Sequence, residues 1–175
     1  MKFLSDIRLL LLGLWLGAAV FFIGIAQVAF SVLPQHEMAG AVVGGGLAVL
    51  NYGGLAVAAI LILTSLIGVA IVNKFWLWVE RFLELLLGAA CASGQFLIGF
   101  WISSVRAQMG RPIDELAADD PLRAQFNVLH QYSEWILLTA MAAALVSFFI
   151  VANRRFGAAT TARSDVYDFS KEFKM

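Results

Sequence analysis

Four apolar stretches, each long enough to cross about 30 Å of hydrocarbon as helix, leave this chain few ways to fold. They run from Leu9 to Leu33, Ala39 to Val72, Phe82 to Ile102 and Trp135 to Ala152. A mean hydropathy of +0.85 with only 14% charged residues lies far outside the range of a soluble domain. The expected fold is therefore an all-α integral membrane bundle of four transmembrane helices. Lys2 and Arg8 ahead of the first run are how a secretory signal begins. That run, however, makes about 25 residues or roughly 37 Å of helix, with no cleavage site leading to a polar mature start, so it reads as a retained span.

The breaks between the runs carry turn or charge signals: Pro34-Gln35-His36-Glu37, Asn73-Lys74, and Gly110 to Asp120 with Pro112 and Pro121. Residues 1–157 form the expected transmembrane domain and 158–175 a polar tail. Lys and Arg are retained on the cytoplasmic side of a membrane. One side collects Lys2, Arg8, Lys74, Arg81, Arg154, Arg155, Arg163, Lys171 and Lys174, the other only Arg106, Arg111 and Arg123. The asymmetry puts both termini and the tail inside, in a bacterial cytoplasmic (inner) membrane. Trp76 and Trp78 would mark the inner interface of the third helix and Trp101 its outer one, with Trp135 at the outer end of the fourth. The third helix is expected to continue to about Gln108. The fourth is expected to start near Asp119 or Asp120, where an acidic cap precedes Pro121 at the first helical position. Both would then project past the outer membrane face.

Sorted at 100° per residue, every span shows a small or polar stripe. Helix 1 aligns Gly13, Gly17, Gly24, Gln27 and Ser31, and helix 2 aligns Gly40, Gly44, Ala48, Asn51, Ala58 and Ser65. Helix 3 aligns Glu80, Glu84, Gly88, Cys91, Gln95, Gly99 and Arg106, and helix 4 aligns Arg123, Asn127, His130, Gln131 and Glu134. Close helix packing accounts for the glycines, Asn51, Gln95 and Cys91, because lipid tails are as apolar as leucine and give helices no other reason to associate. Glu80 and Glu84 share a face one turn apart. At the inner interface they would stay hydrated, with Lys74, Arg81 or water between them; buried, they would begin a proton or cation relay toward Gln95.

At the other face His36, Glu37, Arg106, His130 and Glu134 come to similar depth and are expected to form one polar pocket beneath the hairpin of helices 3 and 4. His130 and Glu134, one turn apart, pair an imidazole with a carboxylate able to orient it. The favoured reading is a salt-bridge and hydrogen-bond cluster without cofactor; a divalent metal, haem or pigment at His36 and His130 are the alternatives. The lone Cys91 excludes an internal disulfide or dithiol pair, and balanced charge gives no reason to expect a nucleic-acid partner. No hydrolase, phosphate-loop or metal-spaced cysteine motif is present.

The segment from Arg106 to Ser133, with Asp120-Pro121 and Phe126-x-x-Leu129-His130-x-x-Ser133, resembles the transmembrane protein 205-like family of small membrane proteins of unknown function. Trp15-x-Gly17, Phe21 or Phe22, and Leu33-Pro34 look like that family's first span. The resemblance implies a compact four-helix membrane protein and marks Arg106, His130 and Ser133 as shared positions. The chain departs from the pattern at Ile102 or Ser103, where a Pro is expected, and at Leu137, where an Asn is expected. The resulting expectation is a non-enzymatic membrane protein, in a homo-oligomer or larger complex, whose outer cluster binds or transports a small solute or ion. The alternative is an accessory subunit that stabilises a respiratory or photosynthetic complex by helix packing.

Overall fold

The computed structural model describes residues 2–67 and 74–161, so Val72, Asn73, Arg163, Lys171, Lys174 and most of the polar tail lie outside the described residues. Helix α1 spans Lys2–Val32, α2 His36–Ile67, α3 Lys74–Ala92, α4 Gly99–Met109 and α5 Pro121–Thr161. A π-helical turn over Ser93–Ile98 joins α3 to α4 without a break, and a 3-10 turn over Ile113–Glu115 lies in the α4–α5 connection. Among the described residues, four helices are long and apolar enough to cross a membrane: Phe3–Val32, His36–Leu66, Lys74–Met109 and Pro121–Asn153. The third of these is 36 residues long, about 54 Å at 1.5 Å per residue and longer than about 30 Å of hydrocarbon requires.

Helix ends follow the local chemistry. Backbone crowding before Pro34 disfavours helix at Leu33, and α1 stops at Val32. Glu37 in the first turn of α2 complements its dipole. Gly110 ends α4 at φ +62, a left-handed conformation that a side chain would strain. The Asp120 carboxylate caps α5, with Oδ1 accepting from the Leu122 amide at 2.8 Å, and Pro121 occupies the first helical position.

The helices form a square in which α1 packs on α2 and α5, and α3 packs on the same two neighbours. The main core holds Leu12, Trp15, Ala19, Leu50, Ala58, Leu61, Leu87 and Cys91, with Ala140, Ala143 and Ala144 from α5. Its centre is a hydrogen bond from the Trp15 indole nitrogen to the Leu50 carbonyl, 3.0 Å long. Gly54 makes that approach possible: a Cβ there would lie 2.4 Å from Cys91 Sγ and 2.8 Å from Trp15 Nε1. A second cluster of Ile98, Val105, Met109, Leu116 and Leu129 fixes α4 to α5 under the connection.

The helix 1 stripe read from sequence faces the wrong way. Gly13, Gly17, Gly24, Gln27 and Ser31 are exposed, and the space around Gly17 and Gly24 is open. The buried stripe is Arg8, Leu12, Trp15 and Ala19. Lipid does not penalise leucine, so small residues need not turn inward; the face with hydrogen-bonding partners does.

Candidate functional site

Two polar sites lie at opposite ends of the bundle. At the first, Arg8 reaches across from α1 to α3. Its Nη2 lies 2.6 Å from Glu80 Oε1, contacts Glu84 Oε1 and lies 3.3 Å from the Leu61 carbonyl, to which it also donates. Glu80 and Glu84 are buried at 0% and 1% exposure. This corrects the expectation of two hydrated carboxylates with Lys74 or Arg81 between them. Arg81 instead turns to α2, where Nε donates to Ser65 Oγ at 3.2 Å and Nη2 to the Ser65 carbonyl at 3.0 Å. A carboxylate in an apolar interior needs a charged partner, and Arg8, read from sequence only as a cytoplasmic-side charge ahead of the first span, supplies it.

The polar stripe from Glu84 toward Gln95 is not continuous. Leu87 and Cys91 are buried between them in the same core as Trp15 and Leu50. Eleven residues, about 16 Å of helix, separate the two polar ends.

At the second site α4 leans on α5, and a cavity of about 1090 Å³ opens between α2, the π turn, α4 and α5. The helix 2 stripe lines it through Gly40, Gly44, Ala48 and Asn51, opposite Gly94, Gln95, Gly99 and Ser103, where close helix packing was expected of these glycines, Asn51 and Gln95. Phe126, Asn127, His130 and Ser133 line it from α5. The π turn places Gly94 against Asn51: a Cβ on Gly94 would lie 3.3 Å from Asn51 Nδ2. Such turns are rare and frequent at functional sites.

Of the outer-face residues singled out from sequence, His36, Glu37, Arg106, His130 and Ser133 line this cavity. Glu134 does not. Its carboxylate lies 3.5 Å from His130 Nε2 on the outward side of α5, with the two side chains 49% and 64% exposed. His36 pairs with Asp114, Nδ1 to Oδ2 at 3.1 Å. The two imidazoles thus turn to different carboxylates rather than to a shared centre. Among the described residues no three His, Cys, Asp or Glu side chains gather as metal ligands would.

Arg106 lies at the cavity mouth with its guanidinium carbon 5.3 Å from the centre of the Phe126 ring, which in turn stacks on His130 at 6.2 Å. Its Nη2 occupies the space that a side chain on Gly40 would take, 2.7 Å from that Cβ. Among the described residues no carboxylate pairs with it. At the floor, Asn51 and Ser133 are 5% and 8% exposed, and neither side chain makes a hydrogen bond with the protein among the described residues. Both residues line the void, so a cavity that ends on an amide and a hydroxyl is suited to a polar occupant.

Sequence reasoning missed the roles of Arg8 and Asp114, and it named Phe126 only as part of the family element. Arg8, Leu12, Trp15 and Ala19 share one helix face, but nothing in their spacing marks that face as the buried one, and Asp114 carries no pattern at all. A family described as a domain of unknown function (DUF4149) matches residues 10–111, which covers the first span from Leu10 onward, the second and third spans, and both cavity walls on α2 and α4. No curated protein and no solved structure matches.

Proposed function

The chain belongs to the DUF4149 family of unknown function, and from its geometry we propose a small non-enzymatic integral membrane protein that binds a small solute or ion in the α2–α4–α5 cavity. The observation that carries this reading is the cavity floor, where Asn51 and Ser133 face the void below Arg106, none of the three having a hydrogen-bond or ion-pair partner among the described residues. The likeness to the transmembrane protein 205-like family supports it, since Phe126, His130 and Ser133 of the shared element all line the cavity. The Lys and Arg asymmetry supports a cytoplasmic location for both termini and an outward-facing cavity in a bacterial inner membrane. Transport is the use such a pocket would serve. It would need a homo-oligomer or a moving inner end, because the core around Trp15 and the Arg8 cluster close the bundle below the floor.

The test is chemical access. In a Cys91→Ala background, Asn51→Cys should be modified by anionic sulfonatoethyl methanethiosulfonate added outside cells, and Gly44→Phe should block the reaction. Gly44 lines the cavity and has open space around it, so the phenyl ring fills the void rather than clashing. An Asn51→Cys that stays unreactive even after permeabilisation, or one indifferent to Gly44→Phe, removes the solute-binding reading.

One observation favours a second reading, an accessory subunit of a larger complex. Gln131 and Glu134 are exposed on the outward side of α5, a polar strip that a partner subunit would cover. Co-migration with a large complex on native gels, lost on Glu134→Leu, would support it.

A further inference from the structure

We propose that the cavity holds the headgroup of an anionic glycerophospholipid, which deepens the ligand-binding reading above and rests on it. The charge pattern selects an anion. Arg106, Arg111 and Arg123 line the cavity against Glu37 and Asp114, and Asp114 is already engaged by His36. Arg123 is turned to the Leu116 carbonyl at 2.9 Å, which leaves Arg106 and Arg111 as cations at the mouth with no ion pair among the described residues, and of the two Arg106 is the one seated over an aromatic ring. A guanidinium over an aromatic face presents its N–H edge to a phosphate oxygen.

The floor selects a headgroup longer than the phosphate alone. From Phe126, beneath Arg106, to Ser133 is seven residues, about 10 Å of helix. A phosphate at Arg106 carrying a hydroxylated extension would bring that extension toward Asn51 and Ser133, whose amide and hydroxyl have no hydrogen-bond partner among the described residues.

The walls select a lipid over a soluble anion. Between α2 and α4 the cavity has a side opening: Phe96 and Phe100 line it and are also 57% and 68% exposed. Tyr52 of α2 and Phe96 of the π turn meet edge to face at 6.1 Å beside this opening. Acyl chains can leave through it into the surrounding leaflet while the headgroup stays inside.

The experiment is native mass spectrometry of the full chain, titrated with phosphatidylglycerol, phosphatidic acid, phosphatidylcholine and soluble glycerol phosphate. Phosphatidylglycerol should bind about tenfold or more tightly than phosphatidylcholine, the difference expected of one charge-assisted contact. Arg106→Gln should erase that preference, Arg106→Lys should keep most of it, and Asn51→Leu should weaken phosphatidylglycerol more than phosphatidic acid. Equal binding of phosphatidylglycerol by wild type and Arg106→Gln overturns the proposal, as does glycerol phosphate binding as tightly as the lipid. Gly44→Phe separates the two levels. If it abolishes adducts while Arg106→Gln changes nothing, the cavity binds ligands but not by this chemistry; if it leaves phosphatidylglycerol binding intact, the cavity reading itself falls.

Discussion

Arg8 is the residue on which the closed end of the bundle depends. One guanidinium nitrogen serves Glu80, Glu84 and the Leu61 carbonyl, so its removal strands buried carboxylate groups rather than a single contact. Breaking such a pair from one side costs about 3–5 kcal/mol, whereas apolar replacement of the whole group is often neutral. Arg8→Met should therefore lower the unfolding free energy in mild detergent by that order, and Arg8→Met with Glu84→Leu should recover part of the loss. A double-mutant cycle with no coupling between positions 8 and 84 would show that the two do not interact in the membrane. Glu84 is also where the limit of sequence reading is clearest. Its position on a face with Glu80 was legible from spacing, but its partner lies 76 residues away on a helix diagonally opposite, and no local pattern encodes that.

At the scale of elements, α2 and α5 were legible and α1 was not. The α2 stripe contains Asn51, Ala58 and Ser65, which the structure buries, and the α5 start at Asp120-Pro121 follows from capping chemistry. In α1, hydrophobicity carries no information about facing, because interior and lipid are equally apolar. The decisive feature there is shape: Trp15 inserts where Gly54 has no side chain. Gly54→Ala should thus overpack the α1–α2–α3 contact and destabilise by about 1–3 kcal/mol. Gly17→Ala and Gly24→Ala, with open space around them, should stay within about 0.5 kcal/mol of wild type as monomers. Equilibrium unfolding of the three variants in one detergent compares them directly. A larger loss at Gly17 or Gly24 than at Gly54 would mean that the outward glycine face is covered by a second helix.

The whole molecule is asymmetric along its long axis, and that asymmetry fixes how it must sit in a membrane if it binds anything from outside. One end is drawn shut by Arg8, by the Arg81–Ser65 contacts and by the Trp15 core; the other is splayed, with α4 held to α5 and not closed against α2. The splayed end carries Arg106, Arg111 and Arg123, while Arg8 and Arg81 lie at the closed end and the chain's other seven Lys and Arg fall in sequence before Arg8, between α2 and Arg81, or after Asn153. By charge retention the splayed end should face away from the cytoplasm. In intact cells carrying a Cys91→Ala background, Ser103→Cys at the cavity wall should react with a membrane-impermeant maleimide. Asn153→Cys, exposed near the other end of α5, should react only after permeabilisation. The reverse pattern would place the cavity in the cytoplasm. Arg106 would then meet the inner leaflet, where anionic lipid is also available, so the headgroup proposal would survive an inverted orientation, whereas uptake of an external solute would not.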